Sequence, residues 1–205
     1  PGCERWDDAG LYYSCTSVHA RSCRSGRAAV VGGGNSAGQA VMFLAEQAAG
    51  AALLLRGGDL RKSMSDYLAR RIERHPKIEV LHHVEVDAIE GNGAITGLRL
   101  RRVRDGGTRT LDCSAVFVFI GAQPRTDWIP PSIALDAKGF ILTGADAARS
   151  GRWPLTDREP CTVETTCPGV FAAGDVRSGT TKRVAFAVGD GALAVTCAHR
   201  VLAEI

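Results

Sequence analysis

The sequence predicts an α/β fold: a parallel sheet with covering helices, extended by an antiparallel meander. Three observations carry that prediction. Between residues 27 and 81, short β-prone runs alternate with segments of helical periodicity, the signature of strand-helix-strand units around a parallel sheet. From Val84 the apolar period drops to two and continues so to Leu111, as in hairpin-linked strands with one wet face. The first β-prone run also ends abruptly in three glycines, Gly32 to Gly34.

Each element follows from its residues. Residues 1 to 26 are polar and read as irregular. Arg27 to Val31 (RAAVV) is a strand stopped by the glycine turn. From Ser36 to Ala49, Ala37, Ala40, Val41, Leu44, Ala45 and Ala48 recur at helical spacing, Gly50 reads as the stop, and Ala51 to Leu55 is a second buried strand. Met64 to His75 is a helix with Tyr67, Leu68 and Ile72 on one face, closed by Pro76 ahead of the strand Ile78 to Leu81. Val84, Val86 and Ala88, then Ile95, Leu98, Leu100 and Val103, a Gly106-Gly107 turn and Thr108 to Leu111 form the meander. In it the basic cluster Arg99 to Arg104 is the solvated face. Ala115 to Ile120 (AVFVFI) is apolar on both faces, as a covered central strand requires. Six of the eight prolines then fall between 124 and 168, so this stretch is loop-rich, with one short strand at Phe140 to Leu142. A boundary belongs near residue 122. A strand Val170 to Ala173, a turn at Gly174 and Asp175, and a helix from about Lys182 to Ala203 finish the chain.

Composition narrows the function classes. With 205 residues, 45% hydrophobic and 23% charged, the chain has ordinary globular composition and room for a sizeable core. No apolar run approaches the roughly 18 residues that cross a bilayer, so no membrane role is expected. Net charge is +3, and the dispersed basic residues require no nucleic acid. Seven cysteines without a CxxC pair or zinc-type spacing read as a reduced, cytoplasmic set. Pro1 opens the chain with no visible targeting peptide, which suits a processed chain or an excerpt of a longer one. His82 and His83, adjacent on a strand edge, point to opposite faces and are not expected to share a metal. No metal site and no acid, base or nucleophile stands out, so the catalytic residues stay unknown.

The run VVGGGNSAG supplies Gly32, Gly34 and Ala37 as GxGxxA, directly after a strand and opening a helix. That is the context a dinucleotide-binding turn needs. Gly32 permits the tight turn, Gly34 lets the backbone approach a pyrophosphate, and Ala37 keeps helix and strand close. Asn35 and Ser36 add side-chain donors. At the end of the second strand, an acidic residue favours NAD and cations favour the 2′-phosphate of NADP. Arg56, Arg61 and Lys62 stand there, with Asp59 as the only acidic candidate. NADPH is favoured over NADH, although Arg61 and Lys62 also suit a solvated helix start.

The segment PGVFAAGDVRSGTTKRVA, Pro168 to Ala185, taken with GGGNSAG and with IGAQP (Ile120 to Pro124), resembles the FAD-dependent pyridine nucleotide-disulfide oxidoreductases, and among them the thioredoxin reductase-like enzymes. The resemblance covers nearly the whole chain. It implies a Rossmann-like NAD(P)H-binding domain at about 16–121 followed by the C-terminal part of an FAD-binding domain at 122–205. Residues 1–15 would be the crossover from an FAD-domain half that this chain does not contain. It also implies FAD contacts at Gly121, Gly174 and Asp175, and at Lys182, Arg183, Val184 and Ala185, where a helix would point its positive end at the flavin. The family tends to carry adjacent arginines after the second strand, where this chain has Arg56, Gly57 and Gly58.

The family's redox disulfide is a CxxC that follows a tyrosine. After Tyr13 this chain reads Ser14, Cys15, Thr16, Ser17, with serines at both positions where the family has cysteines. A serine cannot form a disulfide. The resemblance therefore implies an NAD(P)H-dependent flavin oxidoreductase that delivers electrons to a small-molecule or protein acceptor without a thiol relay, possible as a homodimer. The alternatives are a non-catalytic dinucleotide-binding or sensing module, and an atypical thioredoxin reductase using Cys15 with Cys23. Cys161 and Cys167 could pair in an oxidising setting, or lie free in a loop near the flavin edge.

Overall fold

The computed structural model describes residues 3–7, 9–21 and 23–203. The chain divides into two compact units, Pro1–Gly121 and Ala122–Ile205. In the first unit β1 (Leu11–Tyr12) leads through α1 (Ser17–Arg21) to β2 (Arg27–Val31), α2 (Asn35–Gln47), β3 (Gly50–Leu54), α3 (Asp66–Glu73) and β4 (Ile78–Leu81). The antiparallel strands β5 (Val84–Gly91), β6 (Ile95–Arg102) and β7 (Thr108–Asp112) follow, and β8 (Ala115–Val118) returns to the first sheet. That sheet has the order β1-β8-β2-β3-β4 with every pair parallel. The meander is a separate sheet, β5-β6-β7.

Burial explains why β3, β8 and all of β2 after Arg27 lack polar side chains. On one face, Ala28, Val30, Leu53 and Phe117 pack with Ala37, Val41 and Leu44 of α2 and Leu68 and Ile72 of α3. On the other, Ala29, Ala52, Leu54 and Val116 pack with Leu98, Leu100 and Leu111 of the meander and with Trp6 and Leu11. Alternate side chains of one strand thus serve two cores, so the strand reads as a continuous apolar run. On the wet face of the meander, Arg99 pairs with Asp87 and Arg101 with Glu85 across β5 and β6.

The second unit contains α4 (Ala145–Arg149) and α5 (Val184–Ala203). Its loops are braced by polar groups. The fully buried Glu164 carboxylate accepts from both Arg158 Nη atoms, from Cys161 N and from Gly169 N. Burial opposes its charge, but those donors hold its pKa below the ordinary glutamate value.

Several expectations need correction. Residues 1 to 26 are not irregular throughout, since β1 pairs with β8 and Trp6 and Leu11 are buried. Gly50 is no stop, because it opens β3 opposite Arg27. Helix α3 is shorter than 64–75, and Tyr67 is 70% exposed. Its buried stripe is Leu68, Ala69 and Ile72, and Tyr67 instead lies beside the Arg71 guanidinium. Ile120 lies beyond β8 and is exposed. Val170 to Ala173 and Phe140 to Leu142 form no strands: Phe171 makes one bridge to Glu164, and Ile141 bridges to Leu135 and Arg177. The cysteines are not all reduced, for Cys161 is bonded to Cys197 and Cys167 is free. Among the described residues one helix, α5, is long and apolar enough to cross a membrane by length and composition, against the expectation that no apolar run approaches that length. Asp190, buried midway along it, bonds to Gly174 N and to Arg177 of the same unit.

Phe117 is the largest fully buried side chain, so Phe117→Ala is expected to cost about 3–5 kcal/mol, whereas Tyr67→Ala should stay within about 0.5 kcal/mol, both read from guanidinium unfolding midpoints. Glu164 gives a signed pH dependence. A carboxylate depressed in the folded state contributes stability that is present above its unfolded pKa and lost as pH falls through the folded one. Arg158→Ala strands that buried charge and should cost about 3–5 kcal/mol at pH 7, with a smaller penalty at pH 4, measured by thermal unfolding at the two pH values.

Candidate functional site

The glycine turn joins β2 to α2. Gly32 has φ +141°, and a Cβ there would lie 2.4 Å from the Phe119 carbonyl oxygen and 3.3 Å from Ala37 Cβ, so only glycine lets the turn close against β8. Gly34 differs: it is the N-cap of α2 in extended conformation, and a Cβ would meet nothing nearer than Ser63 O at 3.9 Å. No side chain caps α2, which leaves its first-turn amides and positive dipole end open to an anion. Ala37 is fully buried against the sheet, and Ser36 is exposed.

Asn35 does something the sequence did not show. Its Oδ1 accepts from Ser65 N at 2.8 Å, and Ser63 Oγ donates to Gly33 O at 3.0 Å. The segment before α3 is thereby clamped to the glycine turn. Gly38 completes the contact, since a Cβ there would overlap Leu68 and Met64. Nothing in the spacing of Ser63 and Ser65 signals these bonds, which span thirty residues.

At the end of β3, Arg56 and Lys62 are exposed and form no ion pair among the described residues. Arg61 is committed elsewhere. Its Nε donates to Asp66 and its two Nη atoms to Glu73, at 2.7–2.9 Å. These bonds hold the Glu73 and Asp66 carboxyls below their usual pKa. Asp59 is also engaged, for its Oδ1 accepts from Arg61 N at 2.9 Å and caps the 3-10 turn Leu60–Lys62.

Gly121 closes the first unit with φ +97° and open space on its Cβ side. In the second unit, Gly174 has φ +75° and is buried. Its N–H donates to Asp190 Oδ2 at 3.0 Å, while Arg177 donates through Nη1 to Asp190 Oδ1 and through Nε to Thr143 Oγ1. This brace, also unforeseen, ties the turn to α5 and leaves the Asp175 side chain exposed. Lys182 donates from Nζ to Asp175 O and lies 3.9 Å from the Phe140 ring centroid. Arg183, Val184 and Ala185 are exposed at the start of α5.

Residues 7–191 match the family model for pyridine nucleotide-disulphide oxidoreductases. The chain belongs to that family. It is 35% identical over 175 residues to a thioredoxin reductase of Mycolicibacterium smegmatis, covering 85% of this chain and 51% of the relative. It is 32% identical over 191 residues to the bifunctional thioredoxin reductase/thioredoxin of Mycobacterium leprae, covering 93% and 38%. The crystal structure of Lactococcus lactis thioredoxin reductase superposes with a TM-score of 0.79 at 24% identity, over 100% of this chain and 62% of that one. The chain spans about half the length of the curated relatives it matches. Family and likeness together establish the α/β fold, a parallel sheet with an antiparallel one beside it in the first unit.

Within this pyridine nucleotide-disulphide oxidoreductase, Ser14, Cys15 and Thr16 lie between β1 and α1. Cys15 is half-buried, and burial, with the neighbouring Cys23 thiol, pushes its pKa up to about 11. A thiol so placed is a poor nucleophile near neutrality. Alkylation by iodoacetamide at pH 8, followed by peptide mapping, should label the exposed Cys3 while Cys15 stays largely unmodified. Labelling of Cys15 at the rate of Cys3 would contradict this.

Proposed function

We propose that this chain forms the NAD(P)H-binding domain, about residues 16–121, and the C-terminal part of the FAD-binding domain, residues 122–205, of a thioredoxin reductase-like flavin oxidoreductase. The observation that carries the reading is the turn Gly32-Gly33-Gly34, packed against β8 and opening an uncapped helix α2. Gly32, Gly34, Asn35, Ser36 and Ala37 make the pyrophosphate seat. The α2 amides hold the phosphates, and Arg56 and Lys62 supply positive charge where the adenosine end lies. Selection of NADPH over NADH fits the engagement of Asp59 in its own turn.

Gly174 and Asp175, with Lys182 to Ala185, form the part of the flavin site that this chain supplies. Gly174 gives clearance, and Asp175 presents an exposed acceptor for ligand hydroxyls. FAD, when bound, accepts the nicotinamide hydride and passes electrons on. The apolar side of α5, where Val184 is 82% and Val188 67% exposed, is the surface that the rest of the FAD domain covers in a protein of the relatives' length. Without a CxxC in the chain, the acceptor takes its electrons from the flavin directly, as a small molecule or a protein.

Isothermal titration of the 205-residue chain with NADP+ should show saturable one-to-one binding. A Cβ on Gly34 has open space in the unliganded turn, yet Gly34→Val should weaken NADP+ at least tenfold, while losing the glycine N-cap costs only about 1 kcal/mol in the thermal melt. A wild-type chain that binds neither NADP+ nor NAD+, or a Gly34→Val chain that binds as the wild type does, overturns the reading. In the full-length protein, NADPH turnover with artificial acceptors but not with thioredoxin is expected, and efficient thioredoxin reduction would refute the direct route.

A further inference from the structure

His83 is the one non-glycine residue with positive φ, 56°, among the described residues, and such a backbone outlier calls for a reason. It follows β4 and opens the path into β5, with its imidazole lying over the loop that leaves β3. A Cβ on Gly58 would sit 2.7 Å from both Cε1 and Nε2 of His83, so glycine at 58 is what admits the ring. The main chain fixes the placement: His83 N donates to Gly57 O at 3.2 Å, and Val103 N donates to His83 O at 2.8 Å. Arg104, in the hairpin between β6 and β7, then places Nη2 3.1 Å from His83 Nε2. A guanidinium can only donate, so a hydrogen bond here runs from Arg104 to His83 Nε2. The imidazole therefore places the Arg104 guanidinium beside the β3 loop.

The end of β3 is where a Rossmann-type unit meets the 2′ position of the adenosine ribose. Three facts there point the same way. Asp59, the acidic residue of this loop, has its Oδ1 taken by Arg61 N in its own turn. Arg61 is held by Asp66 and Glu73. Arg104 is exposed, forms no ion pair among the described residues, and is held by His83 beside Gly58. We propose that Arg104 holds the 2′-phosphate of NADPH, with His83 as its positioning residue, so that a hairpin of the meander supplies the specificity for NADPH over NADH. This rests on the dinucleotide-binding reading above and adds to it the residues that discriminate the two cofactors. A phosphate monoester dianion offers the planar guanidinium two oxygens, a geometry that an ammonium does not match.

The test is titration of the whole 205-residue chain and its variants with NADP+ and, separately, with NAD+. Arg104→Gln should weaken NADP+ about tenfold or more and leave NAD+ within twofold, while Arg104→Lys should recover part of the loss. His83→Asn tolerates the left-handed backbone and should lower NADP+ binding in the same direction by a smaller factor. A merely structural role would move both dinucleotides together, and that result overturns the inference, as does an NADP+/NAD+ ratio unchanged by Arg104→Gln. A wild-type chain that prefers NAD+ also overturns it. If the wild type binds neither dinucleotide, the underlying reading falls as well. If it binds both, Gly34→Val loses both and Arg104→Gln changes nothing, only the present inference fails.

Discussion

The close approach of α2 to the parallel sheet is the constraint on which the first unit depends. Helix and sheet meet through small residues, Ala37, Ala40 and Ala45 against Ala28 and Ala51, all within one core. At the turn the spacing is tighter still, because Gly32 lies where any Cβ would strike the Phe119 carbonyl. The larger Leu53, Phe117 and Leu44 belong to the same core and fill the volume that the small residues leave. The same closeness keeps the α2 amides near the C-terminal ends of the strands, the edge at which open α/β sheets bind ligands. A packing requirement and a binding requirement are met by the same few residues. Gly34 is the exception, for the fold leaves space beside it.

Charge at that edge is distributed by neighbours rather than by sequence position. Arg56, Arg61 and Lys62 are equivalent in the sequence, but Arg61 is enclosed by two carboxylates that lie five and twelve residues away. The cation anchored beside the β3 loop comes instead from a hairpin more than forty residues downstream. Exposed pairs such as Arg61 with Glu73 contribute little to stability. Their effect lies in deciding which guanidinium remains available to a ligand.

Most of the fold was legible because its signal is local. The alternation through β5 to β7 repeats at a period that only a strand satisfies, the runs RAAVV and AVFV are short, apolar and bounded by turn signals, and the glycine turn stands out by composition. The features that escaped depend on distant partners. β1 has only two residues and exists because Gly10, Leu11 and Tyr12 find the edge of β8. Asn35 reads only as a ligand donor, whereas its Oδ1 accepts from Ser65 N and ties two segments together. The strand expected at Val170 to Ala173 has the right residues and lacks a neighbouring strand, so one bridge is all it makes. Propensity specifies what a segment can become, and pairing decides whether it does. Of the candidate site, the glycine positions were readable from the sequence, whereas the roles of Asp59, Arg61 and Lys182 were set by contacts that no spacing reveals.

The second unit shows what holds a chain where strands do not. Asp136 receives Lys138 N, Phe140 N and the Ser178 hydroxyl, Glu164 gathers Arg158 and two backbone amides, and Asp190 joins Gly174 to Arg177. Each carboxylate does for a loop what a ladder does for a strand: it satisfies backbone donors that would otherwise be left without partners. The Cys161–Cys197 bond adds a covalent tie between one of these loops and α5. Asp190 is the decisive member of the set. Placed in the middle of a helix otherwise apolar enough for a bilayer, it would be costly in lipid. Within the fold it is satisfied by an amide and a guanidinium, so the residue least suited to a membrane is the one that fixes α5 against the Gly174 turn.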